Sequence, residues 1–224
     1  MKAVLVTGAA RGLGAAIADG LRADGYAVVG VDLAFDGGLS LDVREPTAWS
    51  TARSALEGAG EPWGLVNCAA RTVVRDLFEI DPDEWDDVLS VNLRGPFLGI
   101  RELGPLFAAR GGGRVVNIAS DAAFKGFGAT GTHYAVSKAG LVTLTLRAAA
   151  ALAADGVTVN AIAPGTIDGE TVRELADPVA EARATPTGRL VDPAGVASLV
   201  GWLLSDAAAD TTGAVLRVDG GAGL

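Results

Sequence analysis

Short apolar runs alternate with segments of helical periodicity from one end of this 224-residue chain to the other. That alternation restricts the fold to a largely parallel sheet with helices packed on both faces. The runs K-A-V-L-V-T (2–7), Y-A-V-V-G-V (26–31), W-G-L-V-N (63–67), R-V-V-N-I-A (114–119), V-T-V-N-A-I-A (157–163) and A-V-L-R-V-D (214–219) are nearly continuous apolar stretches. Strands of that kind are buried on both sides. With a short apolar segment at Leu39–Val43 they make about seven strands, and the absence of any repeat or linker-like shift in composition predicts one doubly wound α/β domain over 1–224. Only L-A-F-D-G-G separates Asp32 from Leu39, too little for a crossover helix, so the third strand is expected to be a stub.

The first strand runs into T-G-A-A-R-G-L-G at Thr7–Gly14. A glycine turn between strand and helix lets backbone amides approach a pyrophosphate, and the helix dipole favours the negative charge. The helix that follows is predicted from about Arg11 to Asp24. The next strand ends at Asp32, eighteen residues beyond Gly14, near the spacing of about 20 at which an acidic side chain binds ribose hydroxyls. A carboxylate there accepts hydrogen bonds from the 2′- and 3′-hydroxyls and repels a 2′-phosphate, which points to NAD.

A second stretch, Ser120 to Lys138, carries the chemistry. Tyr134 and Lys138 are four apart, so they lie on one face of a helix. A cation about 4 Å from a phenol favours the phenolate by about 4 kcal/mol at an effective dielectric near 20, up to roughly three pKa units. On that ground Tyr134 is expected to be acidified by Lys138 and to serve as general acid or base. Ser120, at the end of the run R-V-V-N-I-A (114–119), is placed to hydrogen-bond the oxygen that gains or loses the proton. Phe124, Phe127 and His133 border the site and could contact substrate, although a lone histidine in a loop more often packs.

Helices are further expected at Pro46–Gly58, Pro82–Arg110, onward from the Ser120–Lys138 stretch to Ala154, and from Asp192 to Leu204. Asp81 caps the second of these, while Pro96 and Pro105 predict a kink or break near each. Asn92 lies in an apolar stretch of that helix and must find partners. The segment Ala139–Ala154 has one charge, Arg147, and is apolar nearly all round, so one face should meet the sheet and another a second copy of the chain. The polar stretch 168–190 is expected to be an irregular lid over the carboxyl ends of the strands.

Composition narrows the partners. A formal net charge of −9 and a sequence pI of about 4.6 disfavour nucleic acid. A single cysteine, Cys68, excludes an internal disulfide, and the single histidine without ligand-spaced cysteines gives no metal site. The longest apolar run falls short of a membrane span and the N-terminus enters a strand directly, so a cytoplasmic protein without a membrane partner is expected.

Taken together and in this order, the motifs resemble the short-chain dehydrogenase/reductase family over essentially the whole chain. The resemblance implies a seven-stranded Rossmann fold, hydride transfer between NAD or NADP and a secondary alcohol or ketone, and assembly as a homodimer or homotetramer through the long helices. It implies Asn92, Ser120, Tyr134 and Lys138 as catalytic residues, Asn92 holding a water that links Lys138 to solvent. For the cofactor it implies Gly8, Arg11, Gly12, Leu13, Gly14, Asp32, Asp42, Val43, Asn67, Ala69, Tyr134, Lys138, Pro164, Gly165 and Ile167, with Asp42 and Val43 near the adenine and the Ile167 backbone at the nicotinamide carboxamide. Asp219-Gly220-Gly221 matches the family's usual ending.

Two departures bear on function. The family's N-N-A-G segment is Asn67-Cys68-Ala69-Ala70 here, which replaces the last glycine. Arg11 is a feature of NADP users and opposes Asp32, so an NADPH-dependent reductase of 3-oxoacyl thioesters or similar ketones is the alternative. From another class, a dinucleotide sensor without turnover would need neither Tyr134 nor Lys138. Ser120-Asp121-Ala122-Ala123 and the short connection after Asp32 are similar to family members that oxidise cyclic dihydrodiols.

Overall fold

The computed structural model describes residues 1–126 and 130–224. Phe127 therefore lies outside the described residues. Seven strands form one sheet: β1 (Lys2–Thr7), β2 (Ala27–Asp32), β3 (Leu39–Ser40), β4 (Glu61–Asn67), β5 (Gly113–Ile118), β6 (Val157–Pro164) and β7 (Val215–Val218). Their order is β3-β2-β1-β4-β5-β6-β7, and each neighbouring pair is parallel. The fold is thus a Rossmann-like doubly wound sheet whose strand order reverses between β1 and β4, where such sheets open a crevice at their carboxyl ends.

Side chains alternate across this sheet as the strand period requires. Ala3, Leu5, Leu65, Val115 and Val159 enter a core shared with Trp49, Leu56, Leu103 and Phe107. These come from α2 (Ala48–Ala59) and α4 (Gly95–Ala109), which cover one face together with α5 (Thr132–Leu152). Val4, Val6, Val66, Val116 and Ile162 enter the opposite core with Ile17, Leu21, Val200 and Leu203, from α1 (Gly12–Ala23) and α8 (Pro193–Leu204). A pair of two-sided cores explains why the strands read as unbroken apolar runs. The two-residue β3 is the expected stub. The ring of Phe35 packs against Gly30 and the Leu41 N–H bonds the Asp32 carbonyl at 2.7 Å, so the chain turns back without a helix.

The region 82–110 divides into α3 (Pro82–Leu89), a π turn at Ser90–Arg94 and α4. Asp81 caps α3 by accepting from the Asp83 N–H at 2.8 Å. In the π turn the Gly95 N–H bonds the Ser90 carbonyl, five residues back. Pro96 adjoins it and has no N–H to give the Asn92 carbonyl four residues earlier. At Pro105 the helix does not break: α4 runs through it to Ala109. The stretch 168–190 is also corrected, since it holds α6 (Glu170–Leu175) and α7 (Pro178–Ala184) rather than irregular chain.

By length and composition alone, the 24 residues Thr132–Asp155 are long and apolar enough to cross a membrane. That helix buries His133, Ser137, Lys138, Leu141, Thr145 and Ala148 against the rest of the fold. Val136 and Leu146 on it, and Phe97 on α4, remain more than two-fifths exposed.

Candidate active site

A cleft of about 870 Å³ opens along the carboxyl ends of β1, β2, β4, β5 and β6. One end is the glycine turn. Gly8 adopts φ +71° and Gly14 packs so closely on it that a Cβ at Gly14 would lie 2.0 Å from the Gly8 carbonyl oxygen. Gly12, by contrast, faces open space: a Cβ there meets nothing within 4 Å. Gly8, Arg11, Gly12, Leu13 and Gly14 line the cleft at the start of α1. Thr7 holds the opposite edge of the turn, its Oγ1 accepting from the backbone N–H groups of Cys68 and Ala69 at 3.0 and 3.1 Å. Asp32 ends β2 with both oxygens engaged, Oδ2 by the Ala10 N–H at 3.0 Å and Oδ1 by the Leu33 N–H at 2.8 Å. The carboxylate is therefore fixed in the cleft wall.

Asp42, Val43 and Ala69 also line the cleft, whereas Asn67 does not. Its side chain is engaged within the protein: Asn67 Nδ2 donates to Asn117 Oδ1 at 2.8 Å, and Asn117 Nδ2 donates to Thr145 Oγ1 at 2.9 Å. Ala70 lines the cleft without strain, because no described non-glycine residue has positive φ. Asp42 is bound by Arg44, whose guanidinium lies 2.7 Å away and holds the carboxyl below the usual carboxylate range. Arg44 also pairs with Asp87, and Asp87 with Arg71 at 2.7 Å. This ladder joins the chain after β3 to α3 and to the chain after β4. Nothing in the sequence pattern marked it, since its members are scattered and become neighbours only through the fold.

At the other end Ser120, Tyr134 and Lys138 share the cleft. Lys138 is buried, and its Nζ donates to the Ile118 carbonyl at 2.8 Å. The expected acidification of Tyr134 by Lys138 is corrected. Nζ lies over the phenol ring, 5.6 Å from its centre. Burial raises the Tyr134 pKa, opposed by the hydroxyls of Ser120 and Thr72, and Asp121 raises it further. Burial brings Lys138 down to about 8. It also pushes the neighbouring Cys68 thiol up to about 12. Thr72 was missed in the sequence because it belongs to no motif.

Asn92 sits in the π turn, fully buried and outside the cleft lining. Its Oδ1 accepts from the Arg71 N–H at 2.8 Å, and its Nδ2 donates to the Arg71 carbonyl and to Ser137 Oγ, both at 3.0 Å. Ser137 in turn donates to the Tyr134 carbonyl at 2.7 Å. The side chain is thus committed to protein partners.

Pro164, Gly165 and Ile167 continue β6 along the cleft, held by the Gly165 N–H to the Val218 carbonyl at 3.0 Å and by pairing of Ile167 with Val191. His133 packs away from the cleft, its Nε2 3.4 Å from Glu84. Phe124 stacks under the Arg217 guanidinium and is not part of the lining.

Residues 8–223 match the family model described as Enoyl-(Acyl carrier protein) reductase. The chain is 37% identical to the 3-oxoacyl-acyl-carrier-protein reductase FabG of Pseudomonas aeruginosa over 98% of its own length and 96% of that protein. It is 35% identical to the short-chain reductase protein NovJ of Streptomyces niveus, covering 97% and 92% of the two chains. A crystal structure assigned as a short-chain alcohol dehydrogenase of Sinorhizobium meliloti superimposes with a TM-score of 0.91 at 32% identity, over 99% of this chain and 96% of that one.

Proposed function

Because the chain belongs to the short-chain dehydrogenase/reductase family, and so is an oxidoreductase acting on CH–OH and carbonyl groups, we propose that it interconverts a secondary alcohol and a ketone with NAD(H), using Tyr134 as general acid and base. One observation carries this reading: Ser120, Tyr134 and Lys138 share a single cleft with the glycine turn and the fixed carboxylate of Asp32. The open space over Gly12 at the start of α1 fits a pyrophosphate, and Asp32 fits a ribose with a free 2′-hydroxyl. When bound, the nicotinamide supplies the acceptor or donor of hydride at C4. In oxidation Tyr134 takes the alcohol proton while Ser120 donates a hydrogen bond to the same oxygen; in reduction Tyr134 returns it. A phenol with raised pKa is protonated at neutrality and suits the reductive direction. Lys138 holds the nicotinamide ribose, and the Asn92 carbonyl holds a water that passes the proton to solvent.

Arg11, exposed on the same wall as Asp32, supports a second reading in which NADPH reduces a 3-oxoacyl thioester, as the name of the Pseudomonas relative also suggests. Titration with NADH and NADPH, followed by turnover of an alcohol and ketone panel, separates the two. Clear preference for NADPH would overturn the first, and undiminished turnover by Tyr134→Phe would overturn both. The half-exposed Val136, Leu146 and Phe97 on α5 and α4 support a homodimer or homotetramer built on those helices.

A further inference from the structure

We infer, resting on the reading of the cleft as an alcohol–ketone site, that its substrate half selects a small uncharged alcohol bearing a second hydroxyl, that Glu181 reads this hydroxyl, and that anionic thioesters are disfavoured. Glu181 lies on α7 and is half-buried in the cleft wall. Its Oε2 accepts from Thr166 Oγ1 at 2.8 Å, which fixes the carboxylate against the residue between Gly165 and Ile167. Among the described residues Oε1 takes no hydrogen bond. An ionised carboxylate only accepts, so the group it can recognise is a donor, and a hydroxyl held by it gains more than one held by a neutral acceptor.

Charge points the same way. Asp121, Asp168, Glu170 and Glu181 line the cleft together with Lys125, Lys138 and Arg71, and Arg71 is paired with Asp87. Lys125 is already paired with Asp121. Arg173 reaches Asp168 from a largely exposed position, where screening weakens it. A thioester on a phosphate-bearing carrier arm would bring anionic oxygens toward Glu170 and Glu181, which have no ion pair among the described residues, whereas a neutral alcohol meets no such cost. Size sets a further limit, because about 870 Å³ must hold the dinucleotide as well as the substrate. Val172 and Leu175 supply apolar surface for a compact carbon skeleton.

Matched pairs test this on the full chain. With NAD, cis-1,2-cyclohexanediol should exceed cyclohexanol in kcat/KM by about tenfold, the factor expected from one added hydrogen bond to a charged group. With NADH, the N-acetylcysteamine thioester of acetoacetate should exceed acetoacetyl-CoA by a similar factor. Glu181→Ala should bring the diol-to-alcohol ratio to about one, and Glu181→Gln, which keeps an acceptor, should retain part of it while improving the CoA ester relative to the uncharged one. A wild-type ratio near one, a ratio untouched by Glu181→Ala, or preference for the CoA ester would overturn the inference. Dissociation constants from tryptophan fluorescence in the presence of NADH give the same comparison without turnover. Absence of turnover alone would count against the proposed reaction, whereas equal or undetectable diol binding would overturn the selectivity.

Discussion

Lys138 Nζ donates to the carbonyl oxygen of Ile118 at 2.8 Å, tying the buried ammonium of α5 to the last residue of β5. Burial lowers Lys138 to about 8 from an ordinary value near 10.5. Between those values the unfolded chain binds more protons at this site than the folded one, so stability rises with pH across that window. Below about pH 8 the burial penalty is fully present, and above about 10.5 it is gone. Lys138→Met should remove this slope, worth of the order of 3 kcal/mol across the window. Urea midpoints at pH 7.5 and 9.5 for the two proteins check it, and equal slopes would refute the assignment.

Tyr134 is pushed the other way. Its raised pKa means that its contribution to stability is present below about pH 10 and lost as pH climbs through the folded value. The absorbance of the cofactor-free protein near 295 nm, wild type minus Tyr134→Phe, should show this phenol ionising above pH 10. The same substitution should lower kcat by about 10²–10⁴ while leaving the NAD dissociation constant within about threefold. A comparable loss in NAD affinity would instead mean that the phenol serves binding.

What could be read from the chain follows a physical division. The strands were legible because a sheet covered on both faces demands unbroken apolar runs, and β1, β5 and β6 satisfy that demand. The turn Thr7–Gly14 was legible because Gly14 is fixed by a local backbone approach. The protonation of Tyr134 was not, since spacing places Lys138 beside the ring but says nothing of how deeply both are buried. The side-chain bonds of Asn67 and Asn92 were hidden for a related reason. Their partners Asn117 and Arg71 are distant in sequence, and an asparagine gives no sign of which way its amide faces.

Asp32 makes a coenzyme prediction. Two backbone N–H groups hold its carboxylate, so it cannot swing away from a 2′-phosphate as Arg11 can from a 2′-hydroxyl. Asp32→Ser should shift the NADP-to-NAD ratio of kcat/KM by about 10- to 100-fold toward NADP, the range expected for removing a fixed like charge. Steady-state kinetics with both coenzymes measure it. A ratio unchanged within twofold would place the ribose elsewhere.

The π turn separates two roles of one residue. The Asn92 side chain satisfies both backbone groups of Arg71 in a part-buried position, so Asn92→Ala removes their partner and should cost about 1–3 kcal/mol, read from urea unfolding. Pro96 has no N–H to offer the Asn92 carbonyl four residues earlier. Pro96→Ala restores that donor, so it should leave stability equal or higher while lowering kcat by about tenfold, because the carbonyl then bonds within the helix instead of to water. If Pro96→Ala leaves kcat untouched, the proton does not travel by this carbonyl and Asn92 acts only as a brace for Arg71 and Ser137.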